Sequence, residues 1–125
     1  MKITCTKENL VYALDTVSSL AGKHINLPIL SHVLIHASEA KVEISTTNLE
    51  VAVRTSIRAR VDEGGSFTVP AKTLADYVRL LTNEQVEMSV QGNELQVVSG
   101  NSSTKIKGMP AEDFPVIPAV EEVHG

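Results

Sequence analysis

Residues 49–61 read LEVAVRTSIRARV, and this stretch has the most regular alternation of side chains in the chain. Its odd positions from Val51 to Val61 carry apolar or small side chains, whereas its even positions are mostly charged or hydroxyl residues. A period of two is typical of a β-strand with one face buried and the other in solvent. The stretch therefore predicts one long strand, and we interpret its arginines as a solvated outer face. These arginines are Arg54, Arg58 and Arg60.

The residues before this strand predict a strand, a helix and two further strands. Residues 2–6 alternate and predict a short strand, and Thr6 can cap the helix that follows it. This helix carries an apolar stripe and ends at Gly22, and residues 23–28 form a loop. A nearly continuous apolar run over residues 29–37 predicts a buried strand, and residues 41–46 predict another strand. The stripe consists of Leu10, Ala13, Leu14, Val17, Leu20 and Ala21.

The same order begins again after the turn at residues 62–65. A short strand at 66–69 leads into a helix that begins near Pro70, and three more strands follow, the last at Ser102–Lys107. The pairs Gly92-Asn93 and Gly100-Asn101 predict the turns between those strands. We predict an α+β fold of two pseudo-symmetric strand-helix-three-strand units, with the two helices packed side by side on antiparallel sheet. The second helical stripe consists of Leu74, Tyr77, Val78 and Leu81.

Composition predicts one soluble domain and disfavours several functions. The chain has 125 residues, 42% of them apolar and 21% charged, with a net charge of −4. It contains no long apolar run and no apolar leader at its N-terminus, so we expect a cytoplasmic protein with no membrane partner. The single cysteine excludes a disulfide within the chain. The negative charge argues against tight DNA binding by this domain alone, and four aromatic residues are too few for a base-stacking surface.

We find no pattern that predicts catalysis, a metal or a cofactor. His32 and His36 lie four apart on a predicted strand, so their Cα atoms are about 13 Å apart and cannot share one metal ion. Cys5 is expected to be a buried structural thiol, because no basic neighbour can be placed beside it. The acidic pairs lie in predicted turns or in the tail, where solvated charge is the expected role.

Two basic features could contact phosphate, with plain solvation as the alternative for each. Lys72 and Arg79 lie seven residues apart on one face of the second predicted helix, with Asp76 between them reducing the local positive charge. Lys23 and His24 lie in the loop that follows the first predicted helix.

Five short segments in a fixed order resemble the N-terminal domain of the bacterial DNA sliding clamp, the beta subunit of DNA polymerase III. They span about 115 residues, and the doubled unit is similar to the clamp domain fold. The segments are Met1-Lys2-Ile3-Thr4, Leu27-Pro28-Ile29-Leu30, Thr47-Asn48-Leu49-Glu50, Thr68-Val69-Pro70-Ala71-Lys72 and Met109-Pro110-Ala111-Glu112-Asp113-Phe114-Pro115.

The resemblance implies a non-catalytic processivity factor of the polymerase III holoenzyme. In the family, two chains of three such domains close head to tail around duplex DNA, without sequence preference. One domain of this length, roughly 30–35 Å across, cannot surround a duplex, whereas six in a circle can. The resemblance implies a first domain at residues 1–116, a linker at 117–125 toward two further domains, and a place at the replication fork in the nucleoid. Polymerase and clamp loader would bind through those other domains.

The resemblance also implies two sets of site residues. In the family, DNA is contacted from the helices and from the loop after the first helix, which implies Lys23, His24, Lys72 and Arg79. Subunits meet at the last strand of the domain, which implies Thr104, Lys105 and Ile106 with Tyr77 and Leu81 beside them. Internal core is the alternative for Tyr77 and Leu81. A stand-alone interaction module remains the second hypothesis for the whole chain, and an enzyme the third.

Overall fold

The computed structural model describes residues 1–18, 28–115 and 120–124. They form two α-helices and eleven strands of an α+β fold, as the sequence predicts, with short 3-10 helices at Pro28–Ser31 and Ala111–Asp113. In chain order the larger elements are β1 Lys2–Thr6, α1 Lys7–Val17, β2 His32–Ser38, β3 Lys41–Thr47, β4 Ala52–Arg58, β5 Arg60–Glu63, β6 Gly65–Pro70, α2 Ala71–Arg79, β7 Gln85–Gln91, β8 Glu94–Ser99, β9 Ser102–Lys107, β10 Met109–Pro110 and β11 Val120–His124.

Local signals set the beginnings of both helices. The hydroxyl of Thr6 accepts a hydrogen bond from the Asn9 N–H at 3.1 Å, so the predicted cap of α1 is confirmed. Pro70 precedes α2, because its fixed φ suits the start of a helix. The part of the first stripe that the structure describes, from Leu10 to Val17, is buried. Leu20, Ala21 and the predicted stop at Gly22 lie outside the described residues.

The two units exchange their first strands. Strands β7, β8 and β9 of the second unit pair with β1 of the first, and β2, β3 and β4 of the first unit pair with β6 of the second. Each sheet therefore contains strands from both halves of the chain, which local sequence patterns do not encode. The predicted pseudo-twofold arrangement follows directly, since each unit supplies its first strand to the sheet of the other.

Three short strands extend these sheets. The five-stranded sheet has the order β5-β1-β7-β8-β9, and the six-stranded sheet has the order β10-β6-β2-β3-β4-β11. Strand β5 thus lies beside β1, β10 beside β6 and β11, in parallel, beside β4. Strand β9 ends its sheet, and no other strand in the described ranges pairs with its outer edge.

Two predicted strand boundaries are wrong. Residues 49–61 do not form one strand: β4 ends at Arg58, and β5 begins at Arg60 in the other sheet. The N–H of Ala59 between them donates to Ala40 O at 3.1 Å. The alternation of residue types in the sequence continues through this change of sheet. The apolar run at 29–37 begins as the 3-10 helix Pro28–Ser31, and β2 starts only at His32.

The described residues after β9 pair and pack with the rest of the fold. Met109–Pro110 pairs with β6, and Phe114 packs with Ile29 and Leu30 in a small second cluster. Within the predicted linker at 117–125, Val120–His124 pairs with β4. The domain boundary at residue 116 stays a prediction.

One main core lies between the helices and the two sheets. It joins the apolar faces of both helices to inward residues of both sheets, among them Ile3, Leu14, Ile44, Leu74 and Leu95, each at most 1% exposed. Burying such side chains stabilises the fold by about 1.5–3 kcal/mol each. The outer sides of both helices remain exposed. No helix in the described ranges is long and apolar enough to cross a membrane.

Candidate functional site

The exposed sides of α1 and α2 meet in a network of charged side chains, which we call the helix face. It consists of Asp15 on α1 and of Lys72, Asp76 and Arg79 on α2. Lys72 Nζ donates to Asp76 Oδ2 at 2.7 Å, and Arg79 Nη1 lies 3.5 Å from Asp76 Oδ1. Arg79 Nη2 donates to Asp15 Oδ1 and so links the two helices. The structure thus brings Lys72 and Arg79 together, as the helical spacing predicts.

The helix face is electrically balanced. Its two cations are matched by two carboxylates, and all four side chains are between 46% and 76% exposed. The hydrogen bond from Lys72 lowers the pKa of Asp76, desolvation opposes it, and the positive charges of Lys72 and Arg79 lower the pKa further. Because both carboxylates lie beside the cations, the face presents no concentrated positive potential.

Lys23 and His24, the other two residues predicted to contact DNA, lie outside the described residues. Their assignment stays a prediction that rests on the family resemblance.

The outer edge of β9 is the second candidate surface. Gly108 N donates to Asn93 O at 3.0 Å, which marks the pair Asn93 and Gly108 as hydrogen-bonded in the β8–β9 ladder. Hydrogen-bonded and non-bonded pairs alternate along antiparallel strands. In the β8–β9 register, Ile106 and Thr104 therefore bond to β8. The backbone groups of Ser103, Lys105 and Lys107 point toward the open edge.

The side chains of β9 divide between core and solvent. Ile106 is buried in the main core, Thr104 is half-buried, and Lys105 is exposed. The structure therefore places Ile106 inside this domain, and a polar substitution there would disturb folding as well as any contact between subunits. Lysines on an edge strand also discourage unspecific strand pairing.

Helix α2 ends beside β9. Tyr77 Oη and Ser102 Oγ lie 2.5 Å apart, which joins the helix to the start of the strand. Tyr77 is half-buried against the core and Leu81 is buried in it, so both have packing roles within the chain. Leu80, by contrast, is 81% exposed and lines a groove of about 600 Å³ with the β8–β9 turn. The sequence prediction missed Leu80, although its position off the apolar stripe signals an outward side chain.

Cys5 and His32 lie outside these two surfaces, and both are buried. Burial raises the pKa of the Cys5 thiol to about 12, so it stays protonated and unreactive near neutral pH. His32 Nδ1 lies 3.0 Å from Thr68 Oγ1, whose hydroxyl donates to Met109 O, and burial lowers the pKa of His32. Among the described residues, no three His, Cys, Asp or Glu side chains could hold a metal ion together.

The arginines of residues 49–61 do not form one continuous row. Arg54 pairs with Glu43 on the six-stranded sheet, and Arg60 pairs with Asp62 on the five-stranded sheet. Arg58 is exposed at the end of β4. They are surface residues, as predicted, but the change of sheet at Ala59 separates Arg60 from the other two.

The fold and these two surfaces define a mixed α+β domain with a paired-helix face and an open strand edge, and comparisons with known proteins give its family. A family model described as the DNA polymerase III beta subunit, N-terminal domain, matches residues 1–118. The beta sliding clamp of Streptomyces coelicolor is 31% identical over 125 residues, which cover 100% of this chain and 33% of that protein. The beta sliding clamp of Vibrio harveyi is 34% identical over 119 residues, covering 94% of this chain and 82% of that sequence.

Solved structures agree with the sequence comparisons. The DNA polymerase sliding clamp from Caulobacter crescentus superposes with a TM-score of 0.90 at 33% identity, over 95% of this chain and 33% of that one. The chain belongs to the family of DNA polymerase III beta subunit N-terminal domains, with the α+β clamp fold. It spans about a third of the length of most of the curated relatives that it matches.

Proposed function

We propose that this chain is the first domain of a ring-shaped clamp that encircles duplex DNA and tethers the replicative polymerase during strand elongation. The observation that carries the proposal is the family match over residues 1–118. The geometry supports it because the fold supplies a weakly charged helix face and an open strand edge. In this proposal the domain has no catalytic step of its own, and the polymerase supplies the chemistry.

In this proposal the helix face lines the hole of the ring and lies against DNA. Lys72 and Arg79 contact phosphates without reading bases, together with Lys23 and His24 in the loop after α1. The balance of charge on the helix face supports a sliding contact, because many strong phosphate contacts would make binding tight and strongly dependent on salt. The ring then holds DNA by enclosing it rather than by affinity.

The open edge of β9 closes the ring in this proposal. A strand from the partner subunit adds to the outward backbone groups of Ser103, Lys105 and Lys107 and continues the five-stranded sheet. Three other outer strands of the two units carry an extra strand from this chain, whereas β9 carries none among the described residues. Thr104 and Tyr77 flank this edge. Leu80 adds an exposed apolar side chain beside it.

In this proposal, polymerase and clamp-loader peptides bind elsewhere in the complete protein, between domains that follow this one. The complete protein acts in the nucleoid region of the cytoplasm. We therefore expect this chain alone to bind a labelled clamp-binding peptide only weakly. Micromolar binding in a fluorescence titration would instead favour the stand-alone interaction module.

Retention on closed DNA tests the ring directly. The complete protein is loaded onto a nicked circular plasmid with a clamp loader, and the complex is separated by gel filtration. We expect the protein to remain on the circle and to leave after a single cut by a restriction enzyme. A matched sample whose cut ends are blocked by bulky bound proteins should retain it. Equal retention on open linear and circular DNA would contradict the proposal.

A further inference from the structure

Both cations of the helix face already have carboxylate partners within the chain. The guanidinium of Arg79 uses one terminal nitrogen for Asp76 and the other for Asp15, and Lys72 Nζ uses Asp76. Arginine grips a phosphate best with two parallel N–H groups. Each terminal nitrogen of Arg79 has a second N–H, but a phosphate that accepts from both must share the guanidinium with two carboxylates that repel it.

We infer that Asp15 and Asp76 compete with DNA phosphates for Arg79 and Lys72, and thereby set how weakly the domain contacts duplex DNA. The inference rests on the proposed function for the location of DNA, and it assigns a role to two acidic residues that make no favourable contact with a phosphate themselves. Asp15 and Asp76 are positioning residues in this sense, because they act through the cations that they hold.

The exposure of these groups makes the exchange of partners easy. Ion pairs between exposed side chains are weak, so a phosphate can replace a carboxylate at little cost, and the carboxylate can return as DNA moves on. The two carboxylates also stay near the phosphate after the exchange and repel it. Each contact is therefore brief, as sliding requires.

The geometry predicts an order among variants. Asp15→Asn removes one carboxylate charge from beside Arg79, whereas Asp76→Asn removes a charge that both Arg79 and Lys72 contact. The second variant should therefore gain more DNA affinity than the first. Both residues are 52% exposed, so neither change should affect folding, and circular dichroism can verify this.

The test measures binding of this chain to a short fluorescent duplex by anisotropy, between ~50 and ~200 mM salt. We expect Asp15→Asn to bind about fivefold more tightly than wild type, and Asp76→Asn to bind more tightly still. Each additional bond to a phosphate should steepen the dependence of log affinity on log salt by about 0.9. The matched control is Glu112→Gln, which removes the same charge from the exposed 3-10 helix Ala111–Asp113.

A double variant isolates the role of Arg79. If Asp15 acts through Arg79, the gain of Asp15→Asn disappears when Arg79→Gln is added. The inference is overturned if Asp15→Asn and Asp76→Asn bind DNA no more tightly than Glu112→Gln does. This includes the result in which none of the three variants binds DNA measurably better than wild type. It is also overturned if Arg79→Gln leaves the gain intact. Retention of the complete wild-type protein on circular DNA tests the ring separately, so failure of one proposal is distinguishable from failure of the other.

Discussion

Strands β4 and β9 occupy equivalent places in the two units, yet only one of them is left open. Each is the last of three consecutive strands that pair in order, and two strands separate it from the exchanged one. Val120–His124 pairs with the outer edge of β4, whereas no described strand pairs with the outer edge of β9. Exposed edges promote association, and proteins usually protect them. The difference supports the proposal that the open edge of β9 pairs with a strand of another chain.

The largest effect that we predict is on the stability of the domain, and it distinguishes the buried side of β9 from its exposed side. Ile106→Asp places a carboxylate in the main core, where Ile106 is 6% exposed, and should lower the free energy of unfolding by about 4 kcal/mol. Urea denaturation measures this loss. Lys107→Asp, on the exposed side of the same strand, is the control and should change stability by less than about 0.5 kcal/mol. An unchanged urea midpoint for Ile106→Asp would place that side chain outside the core.

A second substitution should prevent a partner strand from pairing with the open edge of β9 without disturbing the fold. Lys105→Pro removes an N–H that points away from β8, so the domain should keep its stability while strand addition fails. In the complete protein we expect the dimer to dissociate about 10-fold more readily, as loss of one backbone hydrogen bond implies. Sedimentation velocity measures this change.

Thr104→Pro is the matched control for the edge. It removes an N–H that bonds to β8 and should destabilise the domain by about 3 kcal/mol. A Lys105→Pro protein that is as stable and as dimeric as wild type would remove β9 from the proposed subunit contact.

The sequence predicts the elements of both units well, because their signals are local. The Thr6 cap, Pro70 and the two Gly-Asn turns all lie where the structure uses them. The exchange of β1 and β6 could not be predicted, since pairing partners distant in the chain leave no local pattern. The division of residues 49–61 at Ala59 was missed for a related reason: both parts pack apolar side chains of one face against the core, so the period of two continues through the change of sheet.

The candidate site was predicted less completely than the fold. Helical spacing places Lys72, Asp76 and Arg79 on one face, and the structure agrees. The link from Arg79 to Asp15 depends on the packing of α1 against α2, which spacing within one helix cannot reveal. The open state of β9 likewise depends on sheet order rather than on the strand's own residues.

The third prediction concerns the edge that β10 closes. His32, Thr68 and Met109 O form a hydrogen-bonded chain that joins β2, β6 and β10, and burial lowers the pKa of His32 from 6.5. The unfolded chain therefore binds the proton more tightly, and stability should fall as the pH drops below about 6.5, by at most about 1.4 kcal/mol per pH unit. Urea denaturation at a series of pH values between about 7 and about 5 measures the slope.

The matched variants for this edge are His32→Gln and His36→Gln. The first should remove the part of the slope that His32 contributes, while its amide can still donate to Thr68. The second replaces an exposed histidine four residues away on β2 and is the control for loss of an imidazole from the same strand. A slope that survives His32→Gln would assign the pH dependence to other groups.

The smallest effect that we predict concerns the first hairpin of each unit, since the two hairpins are equivalent but differ in their turn residues. Both have two-residue turns whose first residue has positive φ: Gly92 at 63° between β7 and β8, and Glu39 at 57° between β2 and β3. Glycine adopts this conformation without a steric cost, whereas a residue with a Cβ does not. Glu39→Gly should therefore stabilise the domain by about 0.5–1 kcal/mol, after its greater freedom in the unfolded chain is subtracted.

The reverse change, Gly92→Glu, should destabilise it by a similar amount, since a Cβ at Gly92 meets no neighbouring atom and only the backbone strain remains. Thermal unfolding of the pair measures both shifts, and equal signs for the two variants would show that the hairpins differ in more than their turn residue.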